Sequence, residues 1–214
     1  MDDYEFEHNI PTDSGSSGCP IILLNNNINL CQVIGIHRGA DLRKNVNCGT
    51  FIGEIFNNNV INNNNNLNND NYITAEIDIK EDNTDIRILN SYEEFKRYCR
   101  YKEIKDDEKN EEEIKKCEIR INDELIPFNY FYKFKKKGKY QIKYSFKNYL
   151  TKTNYMFSDC NSVTNINLTN FNTKNVMSMN YMFCGYDSLT NINLTNFNSK
   201  NVTNMSYMFS YVVL

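Results

Sequence analysis

The chain has 214 residues, of which 40% are apolar and 24% charged, with a formal net charge of −3. That length holds one or two domains, and the acidic balance argues against a phosphate-backbone partner, so no nucleic-acid role is expected. With no run of eighteen apolar residues and no apolar leader, no membrane span is expected and the cytoplasm is the default compartment.

In chain order, the first informative segment is Thr12-Asp13-Ser14-Gly15-Ser16-Ser17-Gly18-Cys19-Pro20. Gly15 and Gly18 permit a tight turn that gathers backbone N–H groups around one point, with the Ser17 hydroxyl beside it. Pro20–Leu24 is an apolar run, Asn25–Asn29 a turn tract and Leu30–His37 a second run, which together predict a hairpin; Cys48–Ile52 predicts a further strand. This order resembles the last strands of trypsin-like serine peptidases, in particular the glutamyl endopeptidase branch, where a Thr or Ser precedes the nucleophile by five residues and a Gly-Ile-His segment follows on a later strand. Thr12 and Gly35-Ile36-His37 match those positions. The resemblance implies that Ser17 is the nucleophile and that the Gly15 backbone helps form the oxyanion hole. It also implies that Thr12 and His37 line a pocket for an acidic side chain. It covers residues 9–56 and fails at the base. The family places His and Asp before Ser, and nothing ahead of Ser17 is long enough to carry their barrel. His8, nine residues before Ser17, would have to fold back onto it, which the family geometry does not provide, and His37 belongs to the pocket wall. Residues 1–56 are therefore expected to be a partial peptidase barrel without a triad.

Residues 57–71 contain eleven Asn in fifteen positions and read as a linker. The span 72–139 is expected to be a β-rich platform with one or two helices. Ile73, Ala75, Ile77 and Ile79, then Ile86 and Ile88, alternate as two strands. Ser91-Tyr92-Glu93-Glu94 opens a helix continued by Phe95, Tyr98 and Cys99. Asp106–Lys116 is a charged loop or helix. Glu118–Phe134 returns to alternation with Pro127 near a turn, and the lysines of Lys133–Lys139 mark an exposed hairpin tip.

Tyr155–Asn180 and Tyr181–Ser206 are copies in a 26-residue register with 17 identical positions, and a third copy opens at Tyr207 and breaks off at Leu214. A period in the twenties with a short strand predicts a solenoid. Its rungs are Phe157/Phe183, Val163/Leu189, Ile166/Ile192, Leu168/Leu194, Phe171/Phe197, Val176/Val202 and Met179/Met205. A single copy cannot bury its own face. The copies resemble BspA-type leucine-rich repeats, on Ser-Leu-Thr-Asn-Ile-Asn-Leu at 188–194 and Asn-Val-Thr-Asn-Met-Ser-x-Met-Phe at 201–209. That resemblance, over residues 140–214, implies a binding surface without chemistry of its own, with a protein or glycan partner on its polar Asn and Thr positions. Tyr140–Asn154 lies 26 residues ahead and is expected to form a degenerate capping coil; the abrupt far end leads us to expect further coils.

Cysteines 19, 31, 48, 99, 117, 160 and 184 form no C-x-x-C pair and no zinc-spaced cluster, so buried thiols are expected, with no metal and no cofactor. Overall the sequence predicts a mainly β chain with some α: a partial trypsin-like barrel, a β-rich platform and a leucine-rich-repeat solenoid. Two functions fit it. One is an interaction protein carrying an inactive peptidase remnant; the other is part of a serine endopeptidase whose repeats recruit substrate.

Overall fold

The computed structural model describes the strand segments 5–8, 20–25, 30–41 and 46–51, and residues 71–99, 105–186, 188–194 and 197–211. It is mainly β with few helices. Strands β1 (Glu5–His8), β2 (Pro20–Asn25), β3 (Leu30–Asp41) and β4 (Val46–Phe51) form an antiparallel sheet of order β1-β4-β3-β2. The expected hairpin is β2 against β3, with β4 on the other side of β3. Among the described residues this sheet is open and does not close into a barrel. Strand β1 was not legible in the sequence. Glu-Phe-Glu-His has one apolar side chain, and pairing with β4 supplies what its pattern lacks.

The larger sheet has order β12-β11-β5-β10-β7-β8. Its strands are β5 (Tyr72–Ile79), β7 (Glu118–Ile121), β8 (Glu124–Ile126), β10 (Gly138–Ser145), β11 (Val163–Asn167) and β12 (Asn191–Asn193). Alternation decides their burial: Ile73, Ala75, Ile77 and Ile79 of β5 point into the core, with the residues between them more exposed. β6 (Thr84–Arg87) and β9 (Phe131–Phe134) form a separate two-stranded ribbon. The lysine-rich tip lies between β9 and β10, where Asp82 accepts hydrogen bonds from Lys136 Nζ at 3.2 Å and Lys137 N–H at 2.8 Å.

Helix α1 (Tyr92–Tyr98) starts where Ser91 caps it, its hydroxyl accepting the Glu94 N–H at 3.1 Å. The charged segment folds as a 3-10 turn at Asp106–Glu108 followed by the short α2 (Glu111–Ile114). Arg97 of α1 donates to both Glu111 oxygens, at 2.8 and 2.6 Å, tying the two helices together.

In the repeats, each coil lies directly on its copy. β11 and β12 pair in parallel as Asn165↔Asn191, Ile166↔Ile192 and Asn167↔Asn193. A second parallel row runs Lys152↔Ser178↔Asn204. The rungs Phe157, Phe183, Val163, Leu189, Ile166, Ile192, Leu168, Leu194, Phe171 and Phe197 are buried, and one apolar cluster runs through platform and repeats together. The expected capping coil divides. Thr151–Thr153 stacks on the next copy, but β10 lies beside β5 and β7, so β5 separates it from β11. The 26-residue offset placed Tyr140 and Ile142 in a coil; antiparallel pairing with β5 over eight positions outweighs that local similarity.

Candidate functional site

Of the residues singled out in the sequence, Thr12, Gly15 and Ser17 lie outside the described residues. His37 lies on β3, its backbone opposite Gly49 of β4. Among the described residues no group of His, Cys, Asp or Glu could hold a metal ion. Cys117, Cys160 and Cys184 are buried free thiols, and burial pushes each of them up from the ordinary thiol range.

The polar positions of the repeats are largely spent on the fold itself. Asn167 Oδ1 accepts the Thr169 N–H at 2.9 Å. Asn172 and Asn198 do the same for Lys174 and Lys200, at 3.0 and 2.9 Å. Thr173 Oγ1 donates to the Asn198 carbonyl at 2.7 Å, and Thr190 Oγ1 to that of Thr164 at 2.9 Å. Short polar side chains that bond backbone groups two residues on hold turns closed. They are poor candidates for a partner surface.

A better surface lies where the platform meets the repeats. Tyr155, Tyr181 and Tyr207 occupy one repeat phase, and all three have positive φ, at 58°, 54° and 57°. Bulky residues rarely adopt that backbone, so the surrounding bonds must hold them there. Their rings stack at centroid distances of 4.7 and 4.8 Å, each pair 13° from parallel. Phe95 of α1 extends the stack, 4.3 Å from Tyr155. The ladder forms one wall of a cleft of about 470 Å³ that also includes Tyr92 and Lys96 of α1, Lys105 and Glu108. The Tyr92 hydroxyl accepts the Lys105 N–H at 2.9 Å, and Lys96 Nζ sits 5.5 Å from the Tyr92 ring centre. Burial, followed by the neighbouring Tyr207, pushes the Tyr181 hydroxyl up to about 12, and burial raises Tyr155 further. Both hydroxyls are therefore neutral donor–acceptor groups at physiological pH. The repeated Tyr-Met-Phe is the available signal in the sequence: Met and Phe are buried at each copy, and a tyrosine recurs beside them at the same phase. Lys96 and Lys105 lie outside the repeat, and only folding brings them to it.

The platform also closes the first coil. Asn90 N–H donates to the Met156 carbonyl at 2.8 Å, and Asn90 Nδ2 to that of Ser158 at 3.0 Å. Asn110 Nδ2 donates to the Asn154 carbonyl at 2.8 Å, and Glu113 accepts the Thr151 N–H at 2.7 Å.

These features define a mainly β protein whose stacked 26-residue copies are capped by an antiparallel platform. Residues 129–213 match the family described as Mycoplasma protein of unknown function, DUF285. The matched span takes in β9 and β10 as well as the repeats, and is less than half of the chain. No curated protein and no solved structure matches the chain. Among the described residues no helix is long and apolar enough to cross a membrane.

Proposed function

We propose that the chain is a protein-interaction module. In this reading residues 140–214 form a short leucine-rich-repeat solenoid of the BspA kind, residues 72–139 cap it, and a polypeptide partner docks in the groove between them. The observation that carries the reading is the tyrosine ladder, three rings at one repeat phase on strained backbone, walling a cleft that also holds Lys96 and Lys105. A polypeptide suits it better than a glycan. Sugars dock on open aromatic faces, whereas both faces of Tyr155 and of Tyr181 are covered by neighbouring rings. Tyr155 is buried, so the half-buried Tyr181 and Tyr207 offer the hydroxyls and ring edges, which suit backbone hydrogen bonding. Two lysines against one carboxylate, Glu108, which lies 4.0 Å from Lys105 Nζ, leave the cleft net positive and favour an acidic segment.

The test is titration of the chain with acidic, neutral and basic octapeptides and with neutral and acidic oligosaccharides, read by tyrosine ring NMR signals. Acidic peptides are expected to bind, and Tyr181→Ala or Lys105→Glu to weaken them by about tenfold, or 1.4 kcal/mol. Binding by glycans alone, or by none of the probes, overturns the reading.

Residues 1–56 we read as the remnant of a trypsin-like peptidase, with Ser17 in the nucleophile position, Gly15 at the oxyanion hole and Thr12 with His37 in the specificity pocket. The antiparallel order of β2, β3 and β4 supports it. Neither histidine of these 214 residues, His8 or His37, fits the position of a triad base in this reading, and Ser17 with no base has little of a triad's rate enhancement. The expected result with a fluorophosphonate probe is no labelling of the folded chain. Labelling lost in Ser17→Ala would favour the alternative, a serine endopeptidase with a preference for acidic residues whose repeats recruit substrate.

A further inference from the structure

Asn154 and Asn180 stand at one repeat phase, each immediately before a tyrosine of the ladder. At the first copy the carboxamide is fully employed. Asn154 Oδ1 accepts the Ser178 hydroxyl at 2.6 Å and the Asn180 N–H at 3.1 Å, and its Nδ2 donates to the Glu108 carbonyl at 3.1 Å. With Asn110 Nδ2 on the Asn154 carbonyl at 2.8 Å, these bonds seat a platform segment against the first coil. One copy later the acceptor has lost both donors. Ser178 is replaced at its copy by Asn204, and Asn204 Oδ1 takes the Ser206 N–H at 3.0 Å, the counterpart of the Asn180 N–H. Among the described residues Asn180 Oδ1 has no hydrogen-bond partner, although the residue is only 6% exposed. Asn180 lines the cleft with Tyr155 and Tyr181. It belongs to the middle coil, with neighbours on both sides: Tyr155 N–H donates to its carbonyl at 3.0 Å, and Tyr181 N–H to that of Ser206 at 3.1 Å.

We propose that Asn180 is the specificity-determining residue of the cleft, its carboxamide oxygen accepting one backbone N–H of the docked acidic segment and so fixing the segment's register. The inference rests on the groove reading and adds the contact that reads the chain. Buried acceptors are costly without a donor, and each one left over in a folded protein asks for a partner. Nothing bonds the oxygen where it stands in the free chain, so rotation about the Cβ–Cγ bond towards the segment forfeits no bond at that atom. The first copy supplies the template: there a polypeptide segment, Glu108 to Asn110, already lies against this phase and is held by backbone bonds through Asn154. The other polar groups of the cleft divide the work. Lys96 and Lys105 attract acidic side chains but fix no register, because an ammonium is a point charge on a flexible stem. The tyrosine hydroxyls donate and accept alike. A carboxamide oxygen only accepts, so it selects for an N–H at one place along the segment.

The test is calorimetric titration of the whole chain with an acidic octapeptide, blocked at both ends, with Glu at its two central positions and Ala elsewhere. A set of analogues each carries one ester in place of a backbone amide, which removes a single N–H and keeps the chain's shape. In the parent, one ester position should cost about tenfold in affinity and the others clearly less. Asn180→Leu should weaken the all-amide peptide by about tenfold and abolish the difference between ester positions. Its urea midpoint should stay level or rise, because the oxygen it removes has no partner to lose. Equal affinity of parent and Asn180→Leu, with Tyr181→Ala still weakened, overturns the proposal and leaves the groove reading standing. A uniform response to all ester positions in the parent also overturns it, whether or not the variant folds. No binding of the all-amide peptide sinks the groove reading and this contact with it.

Discussion

The platform and the repeats share one sheet and one core but hold them in different ways. In the platform, β5, β10 and β7 pair antiparallel, and each strand is specified by its own alternation of Ile with polar residues. In the repeats, β11 and β12 pair in parallel through only three residues, and the stack is held by identical side chains meeting their copies. β5 is the junction, with β10 on one side and β11 on the other. Both kinds of sheet leave backbone groups at an edge, and in the platform that edge is the short strand β8. In the stack each coil leaves backbone groups for its neighbour, and at the first coil the platform supplies Asn90, Asn110 and Glu113 to meet them.

The largest effect should come from the stack's inner rung. Phe183 is fully buried with its ring 5.9 Å from Phe157 and 5.3 Å from Phe209, so Phe183→Ala should cost about 3–5 kcal/mol in urea unfolding. Because one core runs through both regions, platform and repeats should lose stability together. Two separate transitions would show that platform and repeats fold independently. The cap comes next. Asn110→Ala removes the donor to the Asn154 carbonyl and the acceptor for the Tyr92 N–H, both buried, and should cost about 1–3 kcal/mol. Asn172→Ala, which loses a turn bond at a partly exposed site, should cost clearly less.

Gly185 separates the copies more finely. It has φ +79°, and an added Cβ would lie 2.5 Å from Asp159 Oδ1, so Gly185→Ala should cost about 1–2 kcal/mol. Gly138 in the platform has open space around it, leaving backbone strain alone to act against Ala. The smallest effect is electrostatic. The Arg97 guanidinium holds the Glu111 carboxyl down at about 2, with Lys115 and Tyr130 helping. A carboxyl depressed on folding stabilises above its ordinary 4.5, and that contribution fades as pH falls from 4.5 towards 2. Glu111→Gln should therefore flatten the acid limb of a stability profile and lower the urea midpoint more at pH 6 than at pH 3. Equal loss at both values would show that the pair holds α1 to α2 by packing alone.

Elements whose information is local or repeated are legible in the chain alone. Ile73–Ile79 carries a strict period of two, Ser91 with Glu94 carries a capped helix start, and the copies at 155–206 carry a period that only stacking can satisfy. Tertiary structure decided what depends on neighbours distant in the chain. Nothing local makes Tyr140–Ser145 a partner of β5 instead of a coil, because its apolar spacing fits both, and eight paired positions settle it. Nothing local makes Asn90 and Asn110 caps, since an asparagine becomes one only when a bare carbonyl is brought within hydrogen-bond distance. The groove follows the same logic. Its tyrosines were written in the repeat, but its lysines reach them only because α1 and the turn behind it close the first coil.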